Sequence, residues 1–186
     1  MDKKSNGIFI KIDTDNLSNI AIPVPVEKRP SKAAYYLSIA NNIAQRATCL
    51  RRKYGAIIVK NDRIVSTGYN GAPRCRKNCC DIGTCLRQKY NIPSGERYEL
   101  CRSVHAEMNA IIQASAEEME GATLFLSGID SETGEKLSKT ECCSMCKRAI
   151  INAGIYKVIY DGDNSEECYV QEWINDDESL ELHEGY

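Results

Sequence analysis

The amino-acid sequence predicts an α/β domain whose layers are built around one mixed β-sheet. Short apolar runs alternate with longer runs of helical periodicity, and a polar turn joins two of the short runs. At 186 residues the chain is long enough for one domain with a substantial core. We expect an arm at residues 1–30, a domain at 31–160, and an acidic extension at 161–186 packed on the domain or on a neighbouring subunit.

The first half of the domain is predicted to contain one helix and one β-hairpin. Ser31 can cap a helix that reaches about Arg46, because apolar residues recur there at helical spacing. Strands are predicted at 54–60 and 63–69, with Asn-Asp between them as a hairpin turn. The loop at 70–101 that follows contains five cysteines, so we expect it to be functional or to be held in place.

The second half continues the alternation of helices and strands. A helix at about 104–116 is followed by a strand at 122–126 and a polar insertion at 128–140. A second helix opens at Cys143 and stops at Gly154, a C-terminal stop signal, and a strand at 156–160 follows. The apolar anchors of the acidic extension are Tyr169, Val170, Trp173 and Ile174.

Residues 1–30 contain two apolar runs that are interrupted by polar residues and prolines. This pattern fits an arm packed on the domain or on another subunit, and it also fits a disordered leader. No stretch approaches the roughly 18 consecutive apolar residues of a membrane span, and the polar start matches no signal peptide. We therefore expect a cytoplasmic protein with no membrane partner.

The cysteine count and the charge distribution narrow the kind of site. With ten cysteines, two histidines and no secretion signal, the chain favours reduced thiols and metal sites over disulfides. Ten acidic residues and no Lys or Arg lie at 161–186, so the net charge of −2 leaves +8 on residues 1–160. A basic body suits a phosphate-bearing substrate, although solvated surface alone also explains both charge regions.

Two short motifs contain the residues with the clearest chemistry. Residues 105–107 are His-Ala-Glu at the start of one predicted helix, and residues 143–146 are Cys-Ser-Met-Cys at the start of another. One imidazole and two thiolates suit Zn²⁺ and leave a fourth position for water, whose pKa then falls to about 7. Glu107 can move protons beside that water without binding the metal. This combination is typical of zinc-dependent nucleobase deaminases, so we interpret it as a hydrolytic deaminase site.

On these motifs and three further segments, the sequence resembles the deoxycytidylate (dCMP) deaminases of the cytidine deaminase superfamily. The segments are residues 47–59, 67–73 and 92–97, and the resemblance covers about residues 33–160. His-x-Glu alone is a weak signal, but it is specific when joined in this order to Gly-Tyr-Asn-Gly and Cys-x-x-Cys. The resemblance implies a three-layer α/β/α fold with a mixed five-stranded sheet, and often a hexamer.

The resemblance also implies the roles of particular residues. A catalytic zinc would be held by His105, Cys143 and Cys146. Glu107 would take a proton from the attacking water, deliver it to N3 of cytosine and assist the departure of ammonia. Both ligand groups would open helices, where the positive end of the helix dipole stabilises thiolates.

The same resemblance implies two substrate contacts, and the sequence departs from the family pattern in two places. Asn70 would bind the sugar, unless it is only a turn residue, and the backbone of Ala106 would contact the cytosine carbonyl. The family's usual proline before Cys-x-x-Cys is replaced here by Cys142, and the connection at 128–141 is longer than expected. Adjacent cysteines point in different directions, so we expect Cys143 rather than Cys142 to be the ligand.

The cysteines of the long loop indicate a second metal site. Some family members carry a structural zinc in this region, and Cys49 and Cys79 match two of its thiol ligands. Cys85 and Cys101 complete a Cys₄ set that would fasten the loop. Cys80 could replace Cys79 or Cys85, and several of these thiols could instead be buried and free.

The resemblance implies hydrolysis of dCMP to dUMP with release of ammonia. Basic residues near the expected site are consistent with a phosphate on the substrate, namely Arg51, Arg52, Lys53, Arg74, Arg76 and Lys77. Family members often respond to dCTP and dTTP at a separate site, so Mg²⁺ with an allosteric nucleotide is a further candidate. The expected partners are therefore a nucleotide and other copies of the chain.

Two alternatives remain open at the level of sequence. The first keeps the chemistry but changes the substrate to a nucleoside, a nucleoside triphosphate or a base in a nucleic acid. A nucleic acid is the weaker expectation, because the chain has two Phe, one Trp and a strongly acidic end. The second alternative is an inactive, zinc-stabilised binding module. Glu107 argues against it, because a structural site needs no free carboxylate beside its metal.

Overall fold

Five strands form one mixed sheet at the centre of the computed structural model, which describes residues 29–93 and 95–176. The strands are β1 (Arg52–Lys60), β2 (Arg63–Tyr69), β3 (Thr123–Asp130), β4 (Lys157–Tyr160) and β5 (Glu166–Tyr169). Their order across the sheet is β2-β1-β3-β4-β5. The pair β3–β4 is parallel, and the other three pairs are antiparallel. This confirms the predicted mixed sheet.

Seven α-helices lie within the described ranges, together with a 3₁₀ helix at Tyr98–Leu100. They are α1 (Lys32–Ala44), α2 (Cys79–Ile82), α3 (Leu86–Lys89), α4 (Ala106–Gln113), α5 (Ala116–Met119), α6 (Ser144–Asn152) and α7 (Val170–Asn175). The predicted N-cap of α1 is present, because the Ser31 hydroxyl accepts a hydrogen bond of 3.1 Å from the Ala34 backbone N–H.

Helices cover both faces of the sheet and complete the three layers. On one face, α1 packs against the sheet in an apolar cluster that includes Leu37, Ile57 and Phe125. On the other face, a larger cluster joins α4, α6 and α7 to the sheet and includes Ala110, Ile150, Leu124 and Trp173. Burial of these two apolar faces holds the layers together. The three-layer α/β/α arrangement is thereby confirmed.

Two glycines set how closely the helices approach the sheet. A Cβ atom at Gly55 would lie 2.1 Å from the Ala40 carbonyl oxygen of α1, and one at Gly68 would lie 2.2 Å from the Ala106 carbonyl oxygen of α4. Both distances are far below van der Waals contact, so only glycine allows these contacts between helix and strand backbones. Gly68 belongs to the Gly-Tyr-Asn-Gly segment, so packing explains part of that motif.

The structure differs from the predicted boundaries in two places. The single helix predicted at 104–116 is wrong, because α4 ends at Gln113 and Ser115 starts α5 with a capping box to Glu118. The strand predicted at 122–126 runs on to Asp130, since its second half pairs with the first residues of β1. The polar insertion is correspondingly shorter.

The sheet and its core continue into the region that the sequence assigned to an acidic extension. Strand β5 pairs with β4, and Val170 and Trp173 of α7 are buried against the domain. Because this edge strand contains the charged residues Glu166 and Glu167, its sequence shows no alternating apolar pattern from which a strand could be predicted. The predicted arm at residues 1–28 lies outside the described residues, as do residues 177–186. No helix in the part of the chain that the structure describes is long and apolar enough to cross a membrane.

Candidate active site

Two loop-to-helix transitions on the same face of the sheet position the candidate zinc ligands. His105 is the N-cap of α4, with extended backbone angles φ −70° and ψ 155°. Cys143 is the N-cap of α6, with φ −72° and ψ 162°, and Cys146 lies in the first turn of that helix. The helices α4 and α6 contact each other. The first turns of the two helices therefore meet, as the spacing of the motifs requires.

The three side chains converge closely enough to hold one metal ion. His105 Nδ1 lies 3.5 Å from Cys143 Sγ and 3.3 Å from Cys146 Sγ. All three ligand atoms lie within 4.8 Å of one another, and no other His, Cys, Asp or Glu group at 29–93 or 95–176 meets this test. One imidazole and two thiolates fit Zn²⁺, with one tetrahedral position left for another ligand.

The two thiols of this cluster have very different proton affinities. Hydrogen bonds to Cys146 and then to His105 lower the pKa of Cys143 to about 4. The bond to Cys143, together with burial, raises the pKa of Cys146. Burial lowers the pKa of His105, but its hydrogen bond to Cys143 and the charge of Glu107 outweigh this, and the net shift is upward. The lowered pKa of Cys143 favours the thiolate form, which is the form that binds a metal ion.

Glu107 lies in the first turn of α4 with its side chain in the same cleft. The residue is only 4% exposed. Burial raises the pKa of its carboxyl group above the ordinary value, while the charge of His105 opposes the shift. A carboxyl group whose pKa moves toward neutrality exchanges protons readily near pH 7, which suits the predicted proton carrier.

A cleft of about 110 Å³ leads to this cluster. Asn70 and Ala106 both line it, and their contacts with a substrate stay a prediction. The Asn70 side chain also holds β1: its Oδ1 accepts a 2.7 Å hydrogen bond from the Tyr54 backbone N–H, and its Nδ2 donates a 2.9 Å bond to the Arg52 carbonyl. Asn70 therefore fixes the cleft wall, and any sugar contact would be additional.

The basic residues named from sequence separate into two groups. Arg51 and Arg52 line the cleft, whereas the remaining four do not, namely Lys53, Arg74, Arg76 and Lys77. Two residues of the cysteine-rich loop that the sequence did not single out, Arg87 and Tyr98, also line it. The position of Tyr98 directly after the 92–97 segment was the clearest sequence signal that it could belong to the site. The sequence contains no such signal for Arg87.

The four loop cysteines proposed as a second metal site surround one cavity of about 260 Å³. Burial raises the pKa of Cys79, and the neighbouring thiols Cys49, Cys85 and Cys101 raise it further. No three of these sulfur atoms lie within 4.8 Å of one another in the described structure. Cys80 is exposed. The fold thus gathers the four cysteines without closing them into a metal-sized set.

A buried carboxylic acid beside a His-Cys-Cys cluster, on two helix starts of a three-layer sandwich, defines a zinc-dependent hydrolytic enzyme. The description of the matching family is the cytidine and deoxycytidylate deaminase zinc-binding region, and the match covers residues 30–161. The chain belongs to this family of zinc-dependent hydrolytic deaminases.

Individual relatives agree with this assignment. The chain is 36% identical over 137 residues to the deoxycytidylate deaminase of Mycobacterium phage D29, a match that covers 71% of this chain and 95% of the relative. It is 32% identical over 137 residues to that of Schizosaccharomyces pombe, covering 73% of this chain and 38% of the longer yeast protein. The crystal structure of the dCMP deaminase of cyanophage S-TIM5 in apo form matches with a TM-score of 0.50 and 30% identity, covering 73% of this chain and 86% of that one.

Proposed function

We propose that the protein catalyses the hydrolytic deamination of dCMP to dUMP with release of ammonia. The observation that carries this proposal is the buried carboxyl group of Glu107 in the cleft that His105 and Cys143 also line, where the ligand atoms of these two residues converge with that of Cys146. The choice of dCMP is supported by relatives that are named deoxycytidylate deaminases and by the Arg51 and Arg52 side chains in the cleft.

Each residue of the site has a task in this reaction. A Zn²⁺ held by the three ligands supplies a Lewis acid that lowers the pKa of a water molecule. Glu107 takes up the proton that the attacking water loses and gives it to N3 of the base. It then takes the proton of the new C4 hydroxyl group and gives it to the departing amine. The backbone of Ala106 and the side chain of Asn70 orient the base and the sugar in the cleft. The water supplies the new carbonyl oxygen, and the C4–N bond breaks.

The decisive test of the reaction is Glu107→Gln. We expect this variant to fold and to bind zinc as the wild type does, and to lose turnover by about 10²- to 10⁴-fold, the usual contribution of a general acid–base. The measurement is ammonia release together with zinc per chain. Glu117→Gln, a change on the exposed surface of α5, is the matched control and should keep full activity. Wild-type turnover in Glu107→Gln would refute the catalytic assignment.

The substrate is tested by comparing dCMP, CMP, deoxycytidine and dCTP in the same assay. We expect the highest kcat/KM with dCMP. Oligonucleotides should not compete with dCMP, because a strand needs a long basic groove with aromatic platforms, whereas this cleft is a pocket of about 110 Å³. A preference for dCTP or deoxycytidine, or inhibition by oligonucleotides, would favour the alternative substrates. A protein that holds zinc but releases no ammonia from any of them would be the binding module.

We propose that a structural zinc binds Cys49, Cys79, Cys85 and Cys101. The proposal is supported by their common cavity and by the burial of Cys79 and Cys85, because a Cys₄ site would replace costly loop entropy with four bonds. The metal ion would draw the sulfur atoms together. Zinc analysis of the purified protein should give two ions per chain. A value of one would remove this site and leave the catalytic one.

We further propose that the protein is a homo-oligomer of the cytoplasm, a hexamer by family resemblance. Support for assembly comes from apolar side chains on the helices of the catalytic face, since Ile112 is 67% and Met145 is 43% exposed. Support for a reducing compartment comes from the ten cysteines, all of which are free thiols. Regulation by a nucleotide with Mg²⁺ belongs to the same proposal. Light scattering with and without dCTP and Mg²⁺ tests the assembly and its response.

A further inference from the structure

The buried residue Arg87 has a hydrogen-bond donor without a partner. It lies on the short helix α3 and is only 7% exposed. Its Nη2 donates a hydrogen bond of 2.5 Å to the carbonyl oxygen of Pro93. Its Nε is buried and has no partner among the residues that the structure describes. Burying a guanidinium group with an unused donor costs free energy unless an acceptor meets it, so a ligand acceptor is expected here.

Arg87 is close to the catalytic cluster. Its Cζ lies 4.6 Å from the centroid of the Tyr98 ring. The same ring packs edge-on against the His105 imidazole, with 4.8 Å between the centroids. All three residues line the cleft that contains Glu107. Since 4.6 Å and 4.8 Å add to 9.4 Å, Arg87 Cζ lies no more than 9.4 Å from the centre of the His105 ring.

The surroundings of Arg87 favour an anionic group. A guanidinium group presents its N–H donors in a planar fork that matches the oxygens of a phosphate. Arg51 and Arg52 line the same cleft, so three cationic side chains face it. Its acidic lining residues are Glu107, which is assigned to the reaction, and Glu141, which pairs with Lys139 at 2.7 Å. Among the lining residues, three arginines thus stand against two carboxyl groups.

We propose that Arg87 determines substrate specificity by binding the 5′-phosphate of the nucleotide, an inference that rests on the proposed deamination of dCMP. The Nε–H and the remaining terminal N–H groups donate to the phosphate oxygens. The Pro93 carbonyl and the Tyr98 ring hold the guanidinium group in place. Deoxycytidine has no phosphate and leaves these donors unpaired. Arg87 thereby separates a nucleotide from a nucleoside and leaves the chemistry at the base unchanged.

The test compares the kinetics of dCMP and deoxycytidine in the zinc-loaded protein. In Arg87→Gln we expect kcat/KM for dCMP to fall about 10- to 100-fold, mainly through KM, because a charge-assisted hydrogen bond is lost. The kcat/KM for deoxycytidine should stay within about twofold, since that substrate makes no such bond. Arg87→Lys keeps the charge without the fork and should lose less. The control is Lys89→Gln, on the exposed surface of the same helix, which should change neither substrate.

Several results would overturn the proposal. An equal loss on both substrates, or a loss of zinc, would show that Arg87 only supports the structure. A wild-type protein without a preference for dCMP would overturn the proposed substrate and this inference together. A wild type that prefers dCMP, with a variant that keeps the preference, would overturn this inference alone. If neither variant folds, a crystal structure of the wild type with dUMP decides. An Arg87 nitrogen about 3 Å from a phosphate oxygen supports the proposal, and a phosphate bound elsewhere overturns it.

Discussion

Cys142 shows how one residue can be chemically equivalent to a ligand and still be placed differently. It is 5% exposed and lies next to Cys143, yet it does not belong to the His105-Cys143-Cys146 group. Burial raises the pKa of its thiol well above the ordinary value, and the neighbouring Glu107 carboxyl adds to the shift. A raised pKa does not by itself exclude a ligand, since Cys146 has one too, but the Cys142 sulfur does not converge with the three ligand atoms. Cys142 is therefore a packing residue against Glu107 and Tyr160 in the position where the family usually has proline.

We predict that Cys142→Ala keeps the catalytic zinc. The variant should retain the zinc content of the wild type, because none of the three ligands changes, and should lose roughly 1 kcal/mol of unfolding free energy from the small cavity. Cys143→Ala should instead lose the catalytic zinc. Zinc analysis and denaturant unfolding of both variants make the comparison. If Cys142→Ala lost the zinc and Cys143→Ala kept it, the ligand assignment would be reversed.

Among individual residues, those that belong to a short motif could be identified from the sequence. The pair His105 and Glu107 and the two cysteines of Cys-x-x-Cys are recognisable because short spacing fixes their geometry. Arg87 was not recognisable, because its role depends on how an irregular loop folds back over Tyr98. No periodic pattern encodes such a contact.

The helices depend on close backbone contacts that a single methyl group would prevent. In β2, a Cβ at Gly68 would lie 2.2 Å from the Ala106 carbonyl and 2.4 Å from the Ala110 backbone nitrogen. Both atoms belong to α4, the helix that begins directly after His105 and contains Glu107. The position of Glu107, the proposed proton carrier, is thereby linked to the absence of a side chain in the neighbouring strand.

We predict that Gly68→Ala destabilises the fold by about 1–3 kcal/mol, the usual cost of overpacking. Displacement of α4 should also lower turnover by about 10²-fold, because misplacing catalytic groups by about 1 Å has that effect. Denaturant unfolding and ammonia release measure the two quantities. Ser66→Ala in the same strand is the matched control. The Ser66 hydroxyl is buried without a partner among the described residues, so its removal should be neutral or stabilising.

A Gly68→Ala variant with wild-type stability and turnover would show that α4 can move away from the sheet without consequence.

The sequence predicted which segments are helices and strands in this region, since their periodicity is strong. It did not predict that α4 stops at Gln113, because the capping box of Ser115 with Glu118 outweighs the continuing apolar pattern. Element type follows from periodicity, whereas element ends depend on single polar residues.

At the scale of the whole molecule, residues 161–176 continue the sheet and the core of the domain. Trp173 is 6% exposed within the core cluster, and Lys147 Nζ of α6 lies 5.2 Å from the centroid of its ring. This contact joins α7 to the helix that begins at the Cys143 cap. The sequence identified Trp173 as an anchor but placed it on a separate extension, because ten acidic residues dominate the composition there.

We predict that Trp173→Ala lowers the unfolding free energy by about 3–5 kcal/mol, as expected for truncating a buried tryptophan. Circular dichroism in denaturant measures the change. The adjacent Ile174 is 48% exposed, so Ile174→Ala should stay within about 0.5 kcal/mol of the wild type. If Trp173→Ala were as stable as Ile174→Ala is expected to be, α7 would contribute nothing to the stability of the core.

The two glycine contacts have a further consequence for how the domain tolerates change. In the register of the hairpin, Gly68 pairs with Ala56, the residue after Gly55. Gly55 meets the backbone of α1 on one side of the sheet, and Gly68 meets the backbone of α4 on the other. At this position the spacing of the layers is determined by peptide groups alone. Substitutions of core side chains elsewhere should therefore leave the distance between α4 and the strands unchanged.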